Sequence, residues 1–438
     1  MKKGVVVVLI LLAVVVLVSP ALVGRLAERS MDENLNWAAT ESGEVMVTSE
    51  RFTRGWFSSE GQHRIELRDG ELLTGLQALA GPMNADDLPV LIINTHLDHG
   101  LIPLSSMSRD RGSLAPGLGS AVSTMQVELP EGEIIDVPGT IYSKVALDGS
   151  LQSHYVLDAG SRSEDGVTAS WSDVDIRVTT DPASGELVYD GDVETLAFDT
   201  GGESMSMNAL SFDGRQKPTP YGVSVGSLSF QVGEFTAERD NLPSGGFSNM
   251  AVQGKTSIDE GDVHGDAAMN MTLRDLPQFG EVAIDLEMTL AGADAAAVGR
   301  VRRGLEDMQD SVDPMTGFAS VEDDLKAMFA SGFEFNVDKL DVTLPQGSVR
   351  SKMLFSFGET DPATFAWTSL LLATEASIDL SVPAELIDTY AQGNPLAAMA
   401  IGGGYLVRRG DDYVMEAQLK KGLLTVNGAP IPIPLGAM

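Results

Sequence analysis

Hydrophobic residues are most concentrated at the start of the chain, where residues 4–24 carry no charge and residues 5–18 are almost entirely Val, Leu and Ile. A bilayer core about 30 Å thick needs roughly 20 apolar residues as a helix, and residues 4–23 reach that length. Lys2 and Lys3 precede the run and favour a cytoplasmic N-terminus. The pattern predicts a cytoplasmic tip and a transmembrane signal anchor within residues 1–24, with the rest of the chain exported.

The same run permits a second interpretation, a cleaved secretory signal peptide. Such a peptide has a basic start, an apolar core of about 7–15 residues and a small-residue cleavage site, and residues 5–18 fit that core. Apolar character resumes at Ala21, however, and no clean cleavage site follows. We therefore expect a retained anchor. The richest later apolar run, residues 365–373, is too short to span a membrane.

Beyond the anchor, the period of the hydrophobic pattern changes twice. Residues 25–40 repeat apolar positions near one helical face, which predicts a helical stalk. Residues 41–292 then alternate apolar and polar positions between turns rich in Gly, Asp and Asn, which indicates half-buried strands in a β-rich exported region. The clearest strand segments are Val90–His96, Thr124–Leu129, Ser153–Leu157, Val174–Thr179, Met207–Phe212, Gly226–Val232, His264–Leu273 and Val282–Leu290.

Helical periodicity enters late, in a segment at residues 293–332. Asp294–Met308 and Val321–Ala330 predict two short helices, with a break at Pro314 and Gly317 between them. Residues 333–438 form a C-terminal α+β region that we expect to pack on the same sheet. Its predicted elements are strands at Phe333–Leu344, Val349–Phe357, Tyr405–Val407, Tyr413–Leu419 and Leu423–Val426, a helix at Pro383–Tyr390, and a tight Asn427-Gly428 turn.

These patterns together predict a mainly β (α+β) protein. Its body would be an extended antiparallel, curved sheet with a few short helices, preceded by one N-terminal transmembrane helix. Gly299 and Gly304 weaken the helical prediction at residues 294–308, because glycine is unfavourable inside a helix.

Composition narrows the classes of partner. The chain has 63 acidic and 29 basic residues, a net charge of −34 and a pI near 4.3. Such a body repels nucleic acid phosphates and anionic head groups, so no nucleic acid partner is expected. A salt-rich habitat or a partner would each account for the acidic surface. The absence of cysteine from the sequence excludes disulfides, thiolate metal sites and thiol catalysis.

The cluster His96-Leu97-Asp98-His99 is the most tempting candidate for chemistry. At helical spacing, two such imidazoles could share a metal ion. Here they end a predicted strand, on which positions three apart face opposite sides. We therefore predict that His99 caps the turn that follows at Gly100. Because nucleophile-elbow, phosphate-loop and EF-hand patterns are also missing from the sequence, we predict no catalytic, metal or cofactor residue and no enzyme activity.

Arg54-Gly55-Trp56-Phe57 is the second notable cluster. Two adjacent aromatic residues on a strand point to opposite faces, so one can enter the core while the other lies at an edge. Gly55 lets another backbone approach closely, and Arg54 can pair with a carboxylate. We interpret the cluster as a core and corner motif that fixes the first hairpin. A docking surface for a partner or an amphiphile is the alternative.

Three segments of the chain resemble the YdgA-like family of bacterial envelope proteins, a family with a domain of unknown function. Residues 52–59 resemble its aromatic-x-Arg-Gly-Trp-Phe-x-Ser signature. His99-Gly100-Leu101-Ile102-Pro103 resembles a His-Gly-Pro strand end of the family, with Leu-Ile inserted before the proline. Residues 421–430 resemble its closing Gly-x-Leu-x-x-Asn-Gly pattern. The resemblance implies an inner-membrane-anchored periplasmic protein of Gram-negative bacteria and carries no established activity.

Two functional classes remain open. The first is a structural or protein-interaction component of the cell envelope, held to the inner membrane by residues 4–23. The second is a carrier or chaperone for lipid or another apolar ligand on a curved β-sheet. The 19 methionines support the second slightly, because methionine adapts well at apolar binding surfaces. Neither the oligomeric state nor the identity of the partner follows from the sequence.

Overall fold

The computed structural model describes residues 45–54, 58–67, 88–99, 119–130, 132–146, 148–164, 166–181, 183–239, 244–309, 314–362, 365–390 and 394–432. Outside these ranges lie the predicted anchor at residues 4–23, the predicted stalk at residues 25–40, and the motif residues Gly55, Trp56, Phe57 and Gly100. Within the described ranges, no helix is long and apolar enough to cross a membrane.

The chain divides into two compact units between Lys217 and Pro218, the last two residues of a strand that is described with the first unit. The first unit contains the strands β1 Val45–Arg54, β2 Ser58–Leu67, β3 Val90–His99, β4 Gly119–Glu128, β5 Ile134–Val145, β6 Leu151–Leu157, β7 Gly160–Glu164, β8 Val167–Trp171, β9 Val174–Asp181, β10 Glu186–Asp199 and β11 Glu203–Pro218. They pair antiparallel in the order β1-β2-β3-β4-β5-β6-β9-β10-β11, and β8 pairs with both β7 and β10.

Strict alternation builds the core of the first unit. On β9, Val174, Ile176 and Val178 are 2–4% exposed, whereas Arg177 between them is exposed. Tyr155 on β6 lies directly opposite Ile176 and is 4% exposed. Because successive strand residues point to opposite faces, each strand contributes every second side chain to one buried layer.

Tyr155 shows how tightly this layer is packed. Its hydroxyl donates a hydrogen bond to the Pro138 carbonyl at 2.9 Å, and burial raises the pKa of Tyr155 to about 12. Gly139 lies against the ring at φ 106°, and a Cβ added there would be 2.6 Å from the tyrosine oxygen. The site therefore requires glycine both for space and for its backbone conformation.

The opposite face of the first strands carries a ladder of hydrogen bonds. Gln62 donates to Asn94 at 2.9 Å, Asn94 donates to Gln126 at 3.0 Å, and Gln126 donates to Asp136 at 2.8 Å. These side chains connect β2, β3, β4 and β5 across the polar face. The Asn94 and Gln126 amides each donate one bond and accept another, so the ladder satisfies polar groups that are partly buried.

The second unit contains the strands β12 Ser224–Arg239, β13 Gly245–Asp259, β14 Asp262–Leu276, β15 Gly280–Asp294, β16 Phe333–Leu344, β17 Gly347–Phe357, β18 Thr374–Pro383, β19 Val407–Arg409, β20 Asp412–Lys420, β21 Leu423–Val426 and β22 Ala429–Ile431. Its helices are α1 Ala295–Gln309, α2 Pro314–Ser331, α3 Trp367–Ala373, α4 Ala384–Tyr390 and α5 Pro395–Gly402. Its sheet is antiparallel in the order β12-β13-β14-β15-β16-β17-β18-β20-β21-β22, and β19 also pairs with β20.

Helices α1 and α2 interrupt the sequence of this sheet without interrupting its strand pairing. β15 and β16 pair directly, from Ala283 opposite Thr343 to Ala291 opposite Glu334. At the start of α1, the Asp294 carboxylate accepts a hydrogen bond from the Ala297 amide at 2.7 Å, which caps the helix. The helical pair is therefore an insertion between neighbouring strands.

Glycines inside α1 allow close approach of the chain, although they lower helix propensity. A Cβ at Gly299 would lie 1.9 Å from the Tyr221 carbonyl oxygen, and a Cβ at Gly304 would lie 2.9 Å from the Val321 side chain of α2. Tight packing therefore offsets the entropic cost of these two glycines.

The prediction of a mainly β protein with a large antiparallel, curved sheet and few short helices is confirmed. Register shifts in β1, β4, β13, β14, β15 and β16 mark bulges, which bend strands. Most observed strands are longer than predicted: the segment predicted at Met207–Phe212, for example, extends over Glu203–Pro218.

Three details of the prediction were wrong. The expected break at Pro314 and Gly317 is the first turn of α2, because proline is well tolerated at the first helical position. The strand predicted at Tyr405–Val407 lies two residues later, at Val407–Arg409. Helices α3 and α5 were not predicted.

The boundary between the compact units, at Lys217, lies inside the β-rich region that the sequence predicts at residues 41–292.

We expect Gly299→Ala to lower the free energy of unfolding by about 1–3 kcal/mol, because the added methyl group must displace the Tyr221 carbonyl. Gly402→Ala is the matched helical control, since a Cβ there meets no atom within 4 Å. Urea denaturation followed by circular dichroism measures both. Equal stability of the two variants would contradict the close approach.

Candidate functional site

The sheet of the second unit has two chemically different faces. On β15, Ile284, Leu286 and Met288 alternate with Asp285 and Glu287. Neighbouring strands repeat this alternation in register, so apolar side chains meet apolar side chains across strand after strand. One face of the sheet is therefore apolar and the other is charged.

Three cross-strand rows define the apolar face. The first row, from β12 to β20, is Phe230, Val252, Met269, Leu286, Leu340, Ser351, Leu380 and Met415. The second, from β12 to β21, is Leu228, Gly254, Ala267, Met288, Val337, Met353, Ile378, Ala417 and Val426. The third, from β14 to β22, is Gly265, Leu290, Phe335, Phe355, Ala376, Leu419, Leu424 and Ile431.

The apolar face is incompletely covered. Only Ser351 and Val426 among the members of its three rows are buried, and the other members are half-buried or more exposed. Leu228, at one edge, is 43% exposed. The contrast is with the first unit, where Ile176 and Met125 on the apolar side of the strands are each 2% exposed. The same alternation thus produces a closed core in one unit and an open apolar surface in the other.

Packing closes one end of the apolar face. Val263, Ala293 and Ala295 form a buried cluster where β14 and β15 meet α1. Next to it, Phe333 lies 4.6 Å from Phe357 between ring centroids. Phe329 of α2 continues this aromatic cluster, with its centroid 5.1 Å from Phe357 and 5.9 Å from Trp367. Helices α1, α2 and α3 therefore cover the end of the apolar face at which β15 and β17 finish and β16 and β18 begin.

Ion pairs cover the opposite face of the same strands. Lys339 pairs with Asp285 across β15 and β16, and the hydrogen bond to Asp285 raises the pKa of Lys339. Farther along, Asp341 lies opposite Arg350, beside a shallow cleft of about 340 Å³ that also contacts Lys352. Charged groups of this kind favour contact with water, so the charged face is the one that water covers.

A second cleft, of about 810 Å³, lies in the first unit among β4, β5, β6 and β9, beside Trp171. Its histidine and arginine are already paired, because Asp175 lies 2.8 Å from His154 Nε2 and 3.1 Å from Arg177. Ser153 is the residue before His154 on β6, so its side chain points to the opposite, buried face of the strand. There its hydroxyl forms a hydrogen bond with the Ser143 hydroxyl, with 3.0 Å between the oxygens. The exposed ion pair between Arg177 and Asp175 contributes little stability, and the cleft presents mixed charge.

The structure places the sequence-predicted residues at strand ends. Arg54 is the last residue of β1 and lies opposite Ser59 of β2. His99 is the last residue of β3 and lies opposite Gly119. Because β3 is continuous, His96 and His99 occupy positions on opposite faces, and His96 Nε2 lies 3.3 Å from Asp98 on its own face.

Asn427 and Gly428 form a two-residue hairpin turn between β21 and β22. Their φ angles are 47° and 80°, and Val426 pairs with Ala429 on either side. Two consecutive positive φ angles match the type I′ turn that Asn-Gly favours. The turn therefore has the conformation that its sequence requires.

The Asn427 side chain also makes long-range contacts that the sequence did not reveal. Its Nδ2 donates to the carbonyls of Gly404 at 2.9 Å and Tyr405 at 3.1 Å, and its Oδ1 accepts from the Glu416 amide at 3.0 Å. One side chain thus joins β20 to the segment that follows α5. Neither Arg54, His99 nor Asn427 is a member of the apolar face.

Fold and surface together define a class: a β-sheet protein whose second unit carries an open apolar face. The chain belongs to a family of bacterial proteins of unknown function, DUF945, whose family model matches residues 1–434. The resemblance to YdgA-like proteins is consistent with this membership. No curated protein shows significant similarity to the chain, and no solved structure does either.

We expect Asn427→Ala to lower the free energy of unfolding by about 2 kcal/mol, because three side-chain hydrogen bonds are lost at about 0.5–1.5 kcal/mol each. Asn249→Ala is the matched control: Asn249 has a similar left-handed backbone, φ 53°, without a side-chain hydrogen bond to another described residue. Urea denaturation of both variants separates the contribution of the side chain from that of the backbone. A cost for Asn427→Ala no greater than that for Asn249→Ala would contradict the role of the three bonds.

Proposed function

We propose that the protein holds acyl chains of lipids on the apolar face of its second unit, as a carrier or chaperone for apolar ligands in the bacterial envelope. The observation that carries this proposal is the exposure of the three rows, which leaves apolar side chains of at least eight paired strands only partly covered. Large exposed apolar surfaces mark interaction sites in soluble proteins.

The dimensions of the face suit a lipid chain. The eight strands from β12 to β18 and β20 span roughly 34 Å at the usual strand spacing of about 4.8 Å. One leaflet of hydrocarbon is about 15 Å thick, half of a bilayer core. An acyl chain laid across the strands therefore finds apolar contacts along its whole length.

The side chains of the face suit a ligand of variable shape. Met269, Met288, Met353 and Met415 lie in the first two rows. Methionine is flexible and polarisable, so it packs against apolar surfaces of irregular form. Full burial of a previously exposed Leu or Met side chain is worth about 1.5–3 kcal/mol, so covering several half-buried side chains supplies useful binding energy.

We further propose that residues 4–23 hold the protein in the inner membrane with its body in the periplasm. The two lysines before an apolar run of spanning length support this placement. Membership of a bacterial family is compatible with it. An anchor would keep the apolar face close to a source of lipid. In this role the apolar face binds lipid and breaks no bond in it.

A structural or protein-interaction role in the envelope is the competing proposal. A partner protein could cover the same apolar face, and the charged face would then stay in water as before. The two proposals differ in what accompanies the purified protein. A lipid carrier brings lipid, whereas an interaction component brings a reproducible protein partner.

We expect Met269→Asp to lower the amount of lipid extracted per chain after mild-detergent purification of the full protein, because the carboxylate lies in the middle of the first row, opposite Val252 and Leu286. Ala268→Asp is the control. It places the same charge on the same strand but on the opposite face. Mass spectrometry of the extracted lipid measures both variants against the parent.

Lipid bound by the anchor does not affect the comparison, because both variants retain residues 4–23. Equal lipid content in the parent and both variants would contradict lipid binding at the apolar face. Loss of a protein partner from Met269→Asp alone, with unchanged lipid, would favour the interaction role. Circular dichroism melting confirms that the comparison is between folded proteins.

A further inference from the structure

Helix α5 is apolar on every side and none of its side chains is buried. Leu396 is 69% exposed and Met399 is 63% exposed, among the highest values for large hydrophobic residues in the described ranges. A helix on the surface of a globular protein usually buries one apolar stripe and turns a polar face to water. A helix that is apolar all round is instead typical of surroundings that are apolar on all sides.

The charge pattern around α5 is equally unusual for this chain. No charged residue lies between Asp388 and Arg408, although acidic residues number 63 of 438 overall. Tyr405 follows the helix and is 40% exposed. The first charges after it are Arg408 and Arg409, which lie 4.0 Å from Asp388 and 2.5 Å from Glu416. Along the chain, the apolar helix is thus followed first by an aromatic residue and then by charged residues.

The protein holds this segment in a fixed shape. Asn394 caps the helix, because its Oδ1 accepts from the Leu396 amide at 2.9 Å. At the other end, Asn427 donates to the carbonyls of Gly404 and Tyr405 and ties them to the sheet. We call residues 394–405 the apolar tip. Its exposure is therefore built into hydrogen-bonded structure at both ends of the helix.

We propose that the apolar tip inserts into the interfacial region of a lipid bilayer. A bilayer surrounds an inserted tip with apolar groups on every side, whereas a protein partner covers one side of a helix. Eight residues make a helix of about 12 Å, which is too short to cross about 30 Å of hydrocarbon. Interfacial helices sink about 5–10 Å below the headgroups, and tyrosine and arginine favour the headgroup level above them.

The net charge of the body decides which lipid the tip enters best. A body of charge −34 is repelled by anionic headgroups. The tip itself is uncharged, so its insertion needs no electrostatic attraction. Bilayers of zwitterionic lipid are therefore the favoured surface. This inference concerns a surface separate from the three rows of the apolar face and does not depend on lipid carriage there.

The absence of cysteine from the sequence allows a clean test with single-cysteine variants of the full chain. Met399→Cys and Leu396→Cys are each labelled with an environment-sensitive fluorophore and reconstituted into phosphatidylcholine vesicles. Ser227→Cys, an exposed position on the charged side of β12, is the control. We expect emission from both tip positions to shift to shorter wavelength and to be quenched by doxyl-labelled lipid, and emission from the control to do neither.

Two results would overturn the inference. Water-like, unquenched emission from both tip positions in vesicles would show that the tip stays in solvent. Shifted emission that doxyl lipid does not quench would show that protein, and not lipid, covers the tip. Adding anionic phosphatidylglycerol to the vesicles is expected to weaken the quenching. Stronger quenching would contradict the proposed repulsion between the acidic body and anionic headgroups. Far-ultraviolet circular dichroism establishes that each labelled variant is folded.

Discussion

Side chains of successive residues on a strand must point to opposite faces of the sheet, and the rest of this structure depends on that constraint. In each unit, consecutive antiparallel strands keep apolar residues in register on one side. In the first unit this side is a closed core that contains Ile176 and Tyr155, each at most 4% exposed. In the second unit the same side remains only partly covered along three rows. The difference lies in what covers the apolar side, because the strand pattern is the same.

An apolar side left partly open has a cost in water, and packing limits that cost toward the strand ends. At the end away from α1, Val282 and Val232 are 6% and 2% exposed. The insertion of α1 and α2 between β15 and β16 brings Phe329 against Phe357 and Ala295 into the buried cluster. Gly299 and Gly304 make the insertion compact, because each lies where a methyl group would collide with its neighbour. The middle of the sheet has no comparable cover among the described residues. That middle region is where the proposed acyl chains would bind.

Much of the fold follows from local pattern alone. The alternation at Val174–Thr179 and Val282–Leu290 predicts strands, and both segments lie within observed strands, because period-two burial is a property of each strand by itself. The Asn427-Gly428 turn is equally local. The pattern at Asp294–Met308 predicts helix α1 within one residue at each end. In contrast, Pro314 begins α2 and is not the predicted break, because proline is common both at helix starts and after helix ends.

Features that depend on distant parts of the chain were not predictable in the same way. A strand pattern identifies an apolar side, but whether Leu286 is covered depends on chain far from it in sequence. The contact of Asn427 with Gly404 joins residues 23 apart. The boundary at Lys217 falls between two strand-like segments of similar composition. Helix α5 was missed although Asn394 and Pro395 form a helix-start signal, because an exposed helix without a polar face is not an expected surface element.

Site-specific photo-crosslinking along β15 in living cells tests the two-faced sheet most directly. A photoreactive amino acid is placed in turn at positions 284 to 288, and the crosslinked products are identified by mass spectrometry. Lipid adducts are expected from positions 284, 286 and 288 and none from positions 285 and 287, since only the former lie on the apolar face. Lipid adducts without this alternation, or protein adducts at 284, 286 and 288, would contradict it.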